Sequence, residues 1–152
     1  MTELKIGDKA PNFISKDQNG NTVTLSDFIG KNVILYFYPK DDTPGCTAEA
    51  CSFRDNYKSL LEEGFEVLGI SIDDEKSHKK FITKYDLPFT LISDIDKSIV
   101  ELYGVWVEKN MYGKKYMGVA RKTFIIDVAG NIKKIIDKVD TKNSFQQIIE
   151  NS

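Results

Sequence analysis

Histidine, cysteine and tryptophan are scarce in this sequence, whose 152 residues include one histidine, two cysteines and one tryptophan. Two thiols with no histidine near them in the chain give too few ligands for a closed zinc site, so we expect no metal. The single histidine, His78, lies among lysines, and we expect it to be solvated. A solvated His78 is a poor general base, which argues against a cysteine–histidine hydrolase.

Long apolar runs and a strong net charge are also absent. No apolar run approaches the ~20 residues of a membrane span, and Met1–Lys5 lacks the apolar core of a signal peptide. The formal net charge of −2 gives no electrostatic reason to expect nucleic acid or an anionic membrane as a partner. We therefore expect a cytoplasmic protein that binds neither.

The remaining composition is that of a soluble globular protein, with 41% hydrophobic and 29% charged residues. A chain of this length can bury a core of ordinary size, so we expect residues 1–152 to form one domain. Two cysteines in a reducing compartment are more often catalytic or metal-binding than structural.

Strand-like and helix-like patterns alternate along the chain. Strands are expected at 33–38, 66–72, 89–92, 123–127 and 132–137; helices at 75–85, about 96–103 and from 143 or 144; a weak hairpin at 13–24; and a loop or hairpin at 105–120. This order predicts a mixed sheet covered by helices, in the α/β or α+β class.

A cysteine lies where the first central strand gives way to a helix. After residues 33–38, a turn-rich loop leads to Cys46, and a helix is expected from Cys46 or Thr47 to about Glu63. Helical spacing predicts that Phe53, Tyr57, Leu60 and Leu61 face the core. The unpaired N–H groups and positive dipole end at a helix start favour a thiolate, which is the nucleophilic form of cysteine.

The spacing of Pro39, Thr43 and Cys46 resembles the peroxiredoxin active site, Pro-x-x-x-Thr-x-x-Cys. Cys51, five residues after Cys46, makes the chain most similar to the bacterioferritin-comigratory-protein branch, also called PrxQ. The resemblance extends to Phe53–Asp55, Tyr103–Trp106 and Arg121–Asp127. It implies an α/β, thioredoxin-like three-layer sandwich with a mixed central sheet and an N-terminal hairpin extension.

The resemblance also implies roles for individual residues. Cys46 would be the peroxidatic nucleophile, Arg121 the cation beside it, and Pro39 a shield of the sulfur from water. The Thr43 hydroxyl can hydrogen-bond a peroxide oxygen or the thiolate, and Gly45 allows backbone and ligand to approach closely. Glu49, one turn past Cys46, could hold Arg121 or the first helical amides. The ordinary alternatives are helix capping for Thr43 and Glu49, and a surface position for Arg121.

Cys51 would be the resolving cysteine, forming a Cys46–Cys51 disulfide that thioredoxin then reduces. Five residues of ideal helix separate two Cα atoms by about 8–9 Å on sides that differ by roughly 140°, whereas a disulfide needs Cα atoms within about 7 Å. Disulfide formation would therefore require the first helical turns to unwind. The alternative is a buried helix residue without a redox part.

The resemblance thus implies a cofactor-free, thioredoxin-dependent peroxidase for hydrogen peroxide and organic hydroperoxides, acting as a monomer in antioxidant defence. Two other functions stay open. A general thiol–disulfide oxidoreductase would prefer Cys-x-x-Cys, which the spacing of Cys46 and Cys51 disfavours. A non-enzymatic metal-binding or redox-sensing module is the other.

Overall fold

A mixed β-sheet forms the centre of the computed structural model, which describes residues 3–151. The strands are β1 (Ile14–Asp17), β2 (Thr22–Thr24), β3 (Asn32–Phe37), β4 (Phe65–Ser71), β5 (Thr90–Ser93), β6 (Trp106–Met111), β7 (Lys114–Val119), β8 (Lys122–Ile126) and β9 (Ile132–Ile136). Seven of the strands in this part of the chain make one sheet in the order β2-β1-β5-β4-β3-β8-β9. Strands β3, β4 and β5 are parallel, and the others join antiparallel.

Both faces of this sheet are buried, which explains why its central strand reads as a continuous apolar run. On β3, Val33, Leu35 and Phe37 point to one core cluster, whereas Ile34 and Tyr36 point to the other. The alternation follows from the two-residue period of a strand.

Helices cover the two faces. They are α1 (Pro44–Asp55), α2 (Tyr57–Glu62), α3 (Glu75–Tyr85), α4 (Ser98–Leu102) and α5 (Ser144–Asn151), with 3-10 turns at Leu25–Phe28 and Thr141–Asn143. Buried side chains of α1, α2, α3 and α5 pack on one face, and those of α4 on the other. The expected three-layer sandwich with a mixed sheet is therefore confirmed.

The N-terminal hairpin is continuous with the central sheet. Strands β1 and β2 pair with each other, and β1 also pairs antiparallel with β5. The segment left open as loop or hairpin is a hairpin, because β6 and β7 pair antiparallel over their whole length as a separate sheet.

The long helix expected from Cys46 to Glu63 is wrong in two respects. It begins earlier, at Pro44, because proline is well suited to the first helical position, where no N–H is needed. It also breaks at Asn56, whose φ of −122° is not helical, so α2 is a separate element.

The prediction that Leu61 faces the core is also wrong. Leu60 is fully buried and Leu61 is 43% exposed. Neighbouring helical positions differ by about 100° in direction, so when Leu60 faces the core, Leu61 lies at the edge of the buried face.

Within residues 3–151, no helix has the length and apolar character needed to cross a bilayer.

Candidate active site

Cys46 is the third residue of α1, directly after the loop that follows β3. Thr43 precedes the helix in extended conformation, and its side chain makes no capping bond to the first-turn amides. Its hydroxyl instead donates to the Lys40 carbonyl at 2.9 Å. The first amides are therefore left without a side-chain cap, and the simple capping role considered for Thr43 does not apply.

Arg121 brings a positive charge to the sulfur from a distant part of the chain. It lies between β7 and β8, and its Nη2 donates to Cys46 Sγ at 3.2 Å. Its Nη1 donates to Glu49 Oε1 at 2.9 Å. One planar guanidinium thus joins the cysteine and the carboxyl group, so Arg121 is not an ordinary surface residue.

Arg121 stays positively charged at this position. Burial lowers the pKa of Arg121, but the Cys46 sulfur and the Glu49 carboxylate outweigh burial and raise that pKa overall. A cation that stays charged beside a thiol favours the thiolate.

Gly45 leaves the space that the guanidinium occupies. A Cβ atom at Gly45 would lie 3.1 Å from Arg121 Nη2, closer than ordinary van der Waals contact. Glycine here therefore allows Arg121 to approach the start of α1, where the sequence suggested only close approach of a ligand.

Glu49 is a buried carboxyl group with one oxygen on Arg121. Its Oε2 has no hydrogen-bond partner among residues 3–151. Burial raises the pKa of Glu49 to about 7, although Arg121 acts in the opposite direction. Glu49 therefore contacts Arg121, one of the two partners considered for it, and can exchange a proton near neutral pH.

The sulfur is buried but not isolated. Cys46 is 1% exposed, within the apolar cluster under α1. Pro39, Thr43 and Gly45 are half-buried, and the Arg121 side chain is 22% exposed. A small molecule can therefore approach from the side of these residues more readily than a folded protein can.

Comparison with known proteins decides the family. The AhpC/TSA family profile matches residues 6–135. Peroxiredoxin Bcp of Escherichia coli strain K12 is 46% identical over 149 residues, covering 98% of this chain and 96% of that protein. The chain belongs to the AhpC/TSA family of peroxiredoxins. Accordingly it is an oxidoreductase, a peroxidase with an antioxidant function.

Solved structures agree on the fold and on the branch. A mutant of Xylella fastidiosa PrxQ superposes with a TM-score of 0.92 at 30% identity, covering 99% of this peroxiredoxin and 96% of that chain. A Xanthomonas campestris bacterioferritin comigratory protein, described for its alkyl peroxide reduction activity, superposes with a TM-score of 0.85 at 33% identity, covering 91% and 88%. The thioredoxin-like fold of the PrxQ branch is therefore confirmed.

The second cysteine of this peroxiredoxin shares α1 with the first. Cys51 is half-buried and both thiols are free. The helix runs unbroken through both residues. In this form the two sulfurs are therefore held on different sides of one helix.

The expectation that His78 is solvated is wrong. His78 is fully buried, with Nδ1 2.7 Å from Asp41 Oδ2 and Nε2 3.0 Å from the Ile92 carbonyl oxygen. Neighbouring lysines on α3 are exposed, whereas His78 lies on the inward face of the same helix. The inward spacing of His78 and Phe81 was the signal that could have indicated burial.

Lys109 is a cation near the site that the sequence did not single out. Its alkyl chain lies across Gly118 of β7, where a Cβ atom would be 3.2 Å from Lys109 Cδ. Partial burial and Arg121 lower the pKa of Lys109, and Cys46 acts to raise it. The β6–β7 hairpin thus brings a second positive charge within electrostatic range of the sulfur.

Proposed function

We propose that this peroxiredoxin reduces hydrogen peroxide and organic hydroperoxides through a sulfenic acid on Cys46, with Cys51 as the resolving cysteine and thioredoxin or a similar dithiol as the reductant. The observation that carries the proposal is the Arg121 guanidinium, shared between Cys46 Sγ at 3.2 Å and Glu49 Oε1 at 2.9 Å. The guanidinium places hydrogen-bond donors for a peroxide oxygen next to the nucleophilic sulfur.

In the first step, the Cys46 thiolate attacks one oxygen of the hydroperoxide. A sulfur–oxygen bond forms, the weak O–O bond breaks, and the alkoxide or hydroxide that leaves takes up a proton. Cys46 is oxidised to a sulfenic acid, and the hydroperoxide is reduced to an alcohol or water. Arg121 donors and the free amides at the start of α1 can stabilise the negative oxygen as it develops.

In the second step, the Cys51 thiol attacks the Cys46 sulfenic sulfur. A disulfide forms and water leaves, so no outside oxidant is needed. An external dithiol then reduces this disulfide to two thiols while becoming a disulfide itself. Because both cysteines belong to one helix, no second copy of the chain is required, which is why we propose a monomer.

The disulfide step requires the start of α1 to unwind, while two contacts hold the part of the helix that follows Cys51. Beyond Cys51, the Phe145 N–H donates to Ser52 Oγ at 3.0 Å and Arg54 Nη1 donates to the Tyr85 carbonyl at 2.8 Å. We therefore propose that unwinding is confined to roughly residues 46–52. Amide exchange should accelerate there in the disulfide form; unchanged exchange would contradict the proposal.

Burial of Cys46 separates this proposal from a general thiol–disulfide oxidoreductase. Because Cys46 is 1% exposed, its sulfur cannot meet a folded protein's disulfide without rearrangement, whereas a small hydroperoxide needs far less space to approach it. The alkyl peroxide activity described for the Xanthomonas campestris protein supports organic hydroperoxides as substrates.

Stopped-flow mixing of the reduced protein with hydrogen peroxide tests the first step. Fluorescence of Trp106, the single tryptophan, and free-thiol titration should report fast stoichiometric oxidation. Cys46→Ser should abolish it. Slow oxidation of the wild type, or fast oxidation of the variant, would overturn the function.

A coupled assay with thioredoxin, its reductase and NADPH, run with several hydroperoxides, tests the second step. Cys51→Ser should keep the first oxidation and lose thioredoxin-linked cycling. Full cycling by this variant would remove Cys51 from the mechanism.

A further inference from the structure

A buried hydrogen-bond network lies under the loop that carries the active-site threonine and cysteine. At its centre is Asp41, whose Oδ1 accepts from the Tyr38 hydroxyl at 2.6 Å. Its Oδ2 accepts from the Ser77 hydroxyl at 2.8 Å and faces His78 Nδ1 at 2.7 Å. The Asp41 and His78 side chains are only 3% and 0% exposed. Charged side chains are this deeply buried only when they are paired.

The partners of His78 indicate its protonation. Nε2 faces the Ile92 carbonyl, which can only accept, so Nε2 carries a proton. Nδ1 faces a carboxylate that already accepts from Tyr38 and Ser77. One proton lies between Nδ1 and Asp41 Oδ2, so the two side chains are joined directly by a hydrogen bond.

The same network fixes the backbone of the loop. The Asp41 N–H donates to Asp73 Oδ2 at 2.8 Å, and the Ser71 hydroxyl donates to the same oxygen at 2.7 Å. Asp73 lies two residues after the end of β4, and His78 belongs to α3. The loop is therefore attached to two elements that take no part in the peroxide chemistry.

Asp41, Asp73 and His78 each place one potential metal-ligand atom within 4.8 Å of the others. Both Asp41 oxygens, Asp73 Oδ2 and both His78 ring nitrogens already take part in hydrogen bonds. The hydrogen-bond network is sufficient to account for the arrangement.

The next residue adds an anchor at the surface. Asp42 has a φ of 55°, in the left-handed region, and accepts from Lys84 Nζ and the Tyr85 hydroxyl, both at 2.8 Å. The loop is thus attached to α3 at two consecutive residues, immediately before Thr43 and the start of α1. The helix that has to unwind begins where these attachments end.

We propose that Asp41 and His78 form a buried hydrogen-bonded pair that positions the active-site loop, and thereby sets the balance between the helical form of α1 that reacts with peroxide and the unwound form that makes the Cys46–Cys51 disulfide. This inference rests on the proposed function. Asp41 and His78 are positioning residues, since neither touches the sulfur.

The physical reason is the cost of leaving a buried polar group without its partner. Removing one partner of a buried hydrogen bond costs the desolvation of the group that remains, which must reach water or rearrange. In this protein the group that remains after loss of His78 is the Asp41 carboxyl on the loop itself, so the loop moves. Displacing it misplaces Thr43 and the first turn of α1, which slows oxidation and eases unwinding.

The kinetic test separates two rate constants in His78→Gln. The oxidation of Cys46 and the subsequent formation of the disulfide are followed in one stopped-flow experiment with excess peroxide. We expect the ratio of the disulfide-forming rate to the oxidation rate to rise at least ~10-fold, which corresponds to a free-energy change of about 1.4 kcal/mol. A ratio equal to that of the wild type overturns the proposal, whatever the absolute rates.

Two further variants separate positioning from general destabilisation. Ser77→Ala removes one donor to Asp41 and keeps the pair, so it should change the ratio in the same direction by less, and it remains informative if His78→Gln folds poorly. Ile99→Ala creates a cavity on α4, on the opposite face of the sheet, and should lower stability without changing the ratio. An equal change in Ile99→Ala would also overturn the proposal.

Nuclear magnetic resonance tests the buried pair in the wild-type protein. The chain has a single histidine, so its imidazole nitrogen signals need no assignment by mutation. We expect the Nε2 proton that faces the Ile92 carbonyl to exchange slowly with solvent. Exchange as fast as in a solvated histidine would refute the buried pair. If wild-type Cys46 is not oxidised by peroxide at all, the proposed function fails, and this measurement still decides the pair.

Discussion

At the level of single residues, the guanidinium of Arg121 connects the chemistry of this peroxiredoxin. Its two terminal nitrogens reach different partners, Cys46 and Glu49. A lysine offers one compact ammonium group and cannot make both contacts in this geometry. The planar fork, and not positive charge alone, therefore suits the site.

Arg121→Lys should lower the rate constant of Cys46 oxidation by about 10²-fold, the usual effect of removing one preorganised donor. Stopped-flow oxidation by hydrogen peroxide measures it. The neighbouring Lys122 pairs with Asp137 at 2.9 Å, so Lys122→Gln removes a positive charge nearby and should leave the rate near that of the wild type. Equal losses in the two variants would show that net charge alone matters.

Glu49 makes stability depend on pH. Its pKa is raised from 4.5 to about 7 in the folded protein, so the folded state holds this proton more tightly than the unfolded state. The stabilisation is complete below about pH 4.5 and is lost as the pH rises through about 7, by up to about 3 kcal/mol.

Glu49→Gln removes this titration but keeps an oxygen that can accept from Arg121. Urea unfolding at pH 5 and pH 8 should therefore show the variant gaining free energy of unfolding relative to the wild type as the pH rises. Glu63→Gln, at an exposed position, should follow the wild type at both pH values. A constant difference between Glu49→Gln and the wild type would contradict the raised pKa.

At the level of secondary structure, α1 must be helical for one step and unwound for the other. The lack of a side-chain cap from Thr43 leaves its first turn weakly held by local interactions. Contacts made by Arg121 and Glu49 hold it instead. The start of α1 therefore depends on tertiary contacts more than on helix propensity.

Gly45→Ala separates these two contributions. Alanine favours helix over glycine by up to about 1 kcal/mol, yet its Cβ would lie 3.1 Å from Arg121 Nη2. We expect the free energy of unfolding not to rise despite the gain in helix propensity, and Cys46 oxidation to slow, because the guanidinium is displaced. Urea unfolding and stopped-flow oxidation measure the two effects. Oxidation at the wild-type rate would show that Arg121 tolerates the methyl group.

At the level of the whole molecule, the two redox forms should differ in stability in an unusual direction. A disulfide across so short a loop gains only about 2 kcal/mol in the chain-entropy model. Unwinding the start of α1 would expose Cys46 and Ala50, which are buried in the dithiol form, and break the pair of Glu49 with Arg121. We expect the losses to exceed the gain.

The disulfide form should therefore melt below the dithiol form. A net loss of 1 kcal/mol lowers Tm by about 2–4 °C in a protein of this size. Differential scanning calorimetry of the two forms measures the shift. Cys51→Ser, which cannot form the internal disulfide, should show no such shift after the same oxidising treatment. A disulfide form that melts higher would indicate that α1 does not unwind.

Local patterns were sufficient for most of the fold. Continuous apolar runs predicted β3 and β4, and the tight turn at Ala129–Asn131 predicted the β8–β9 hairpin. The break at Asn56 was missed because helical spacing continues on both sides of it. The outward turn of Leu61 was missed for the same reason.

The residues of the candidate site could be predicted only where a sequence motif includes them. Cys46, Cys51 and Thr43 lie within a few residues of one another, so spacing could relate them. Arg121 is 75 residues from Cys46, and only the family resemblance connected the two. His78 had neither spacing nor motif to reveal its pairing with Asp41, 37 residues away.

The sequence by itself determined the order of strands and helices, the cysteine at the start of α1 and the five-residue spacing that keeps two thiols apart in one helix. These follow from backbone periodicity and turn chemistry, which act over a few residues. Only the tertiary structure decided that Gly45 makes room for Arg121, that Glu49 is buried beside it, and that His78 is buried against Asp41. Which side chains pair with one another depends on which distant segments meet, and no local pattern encodes that.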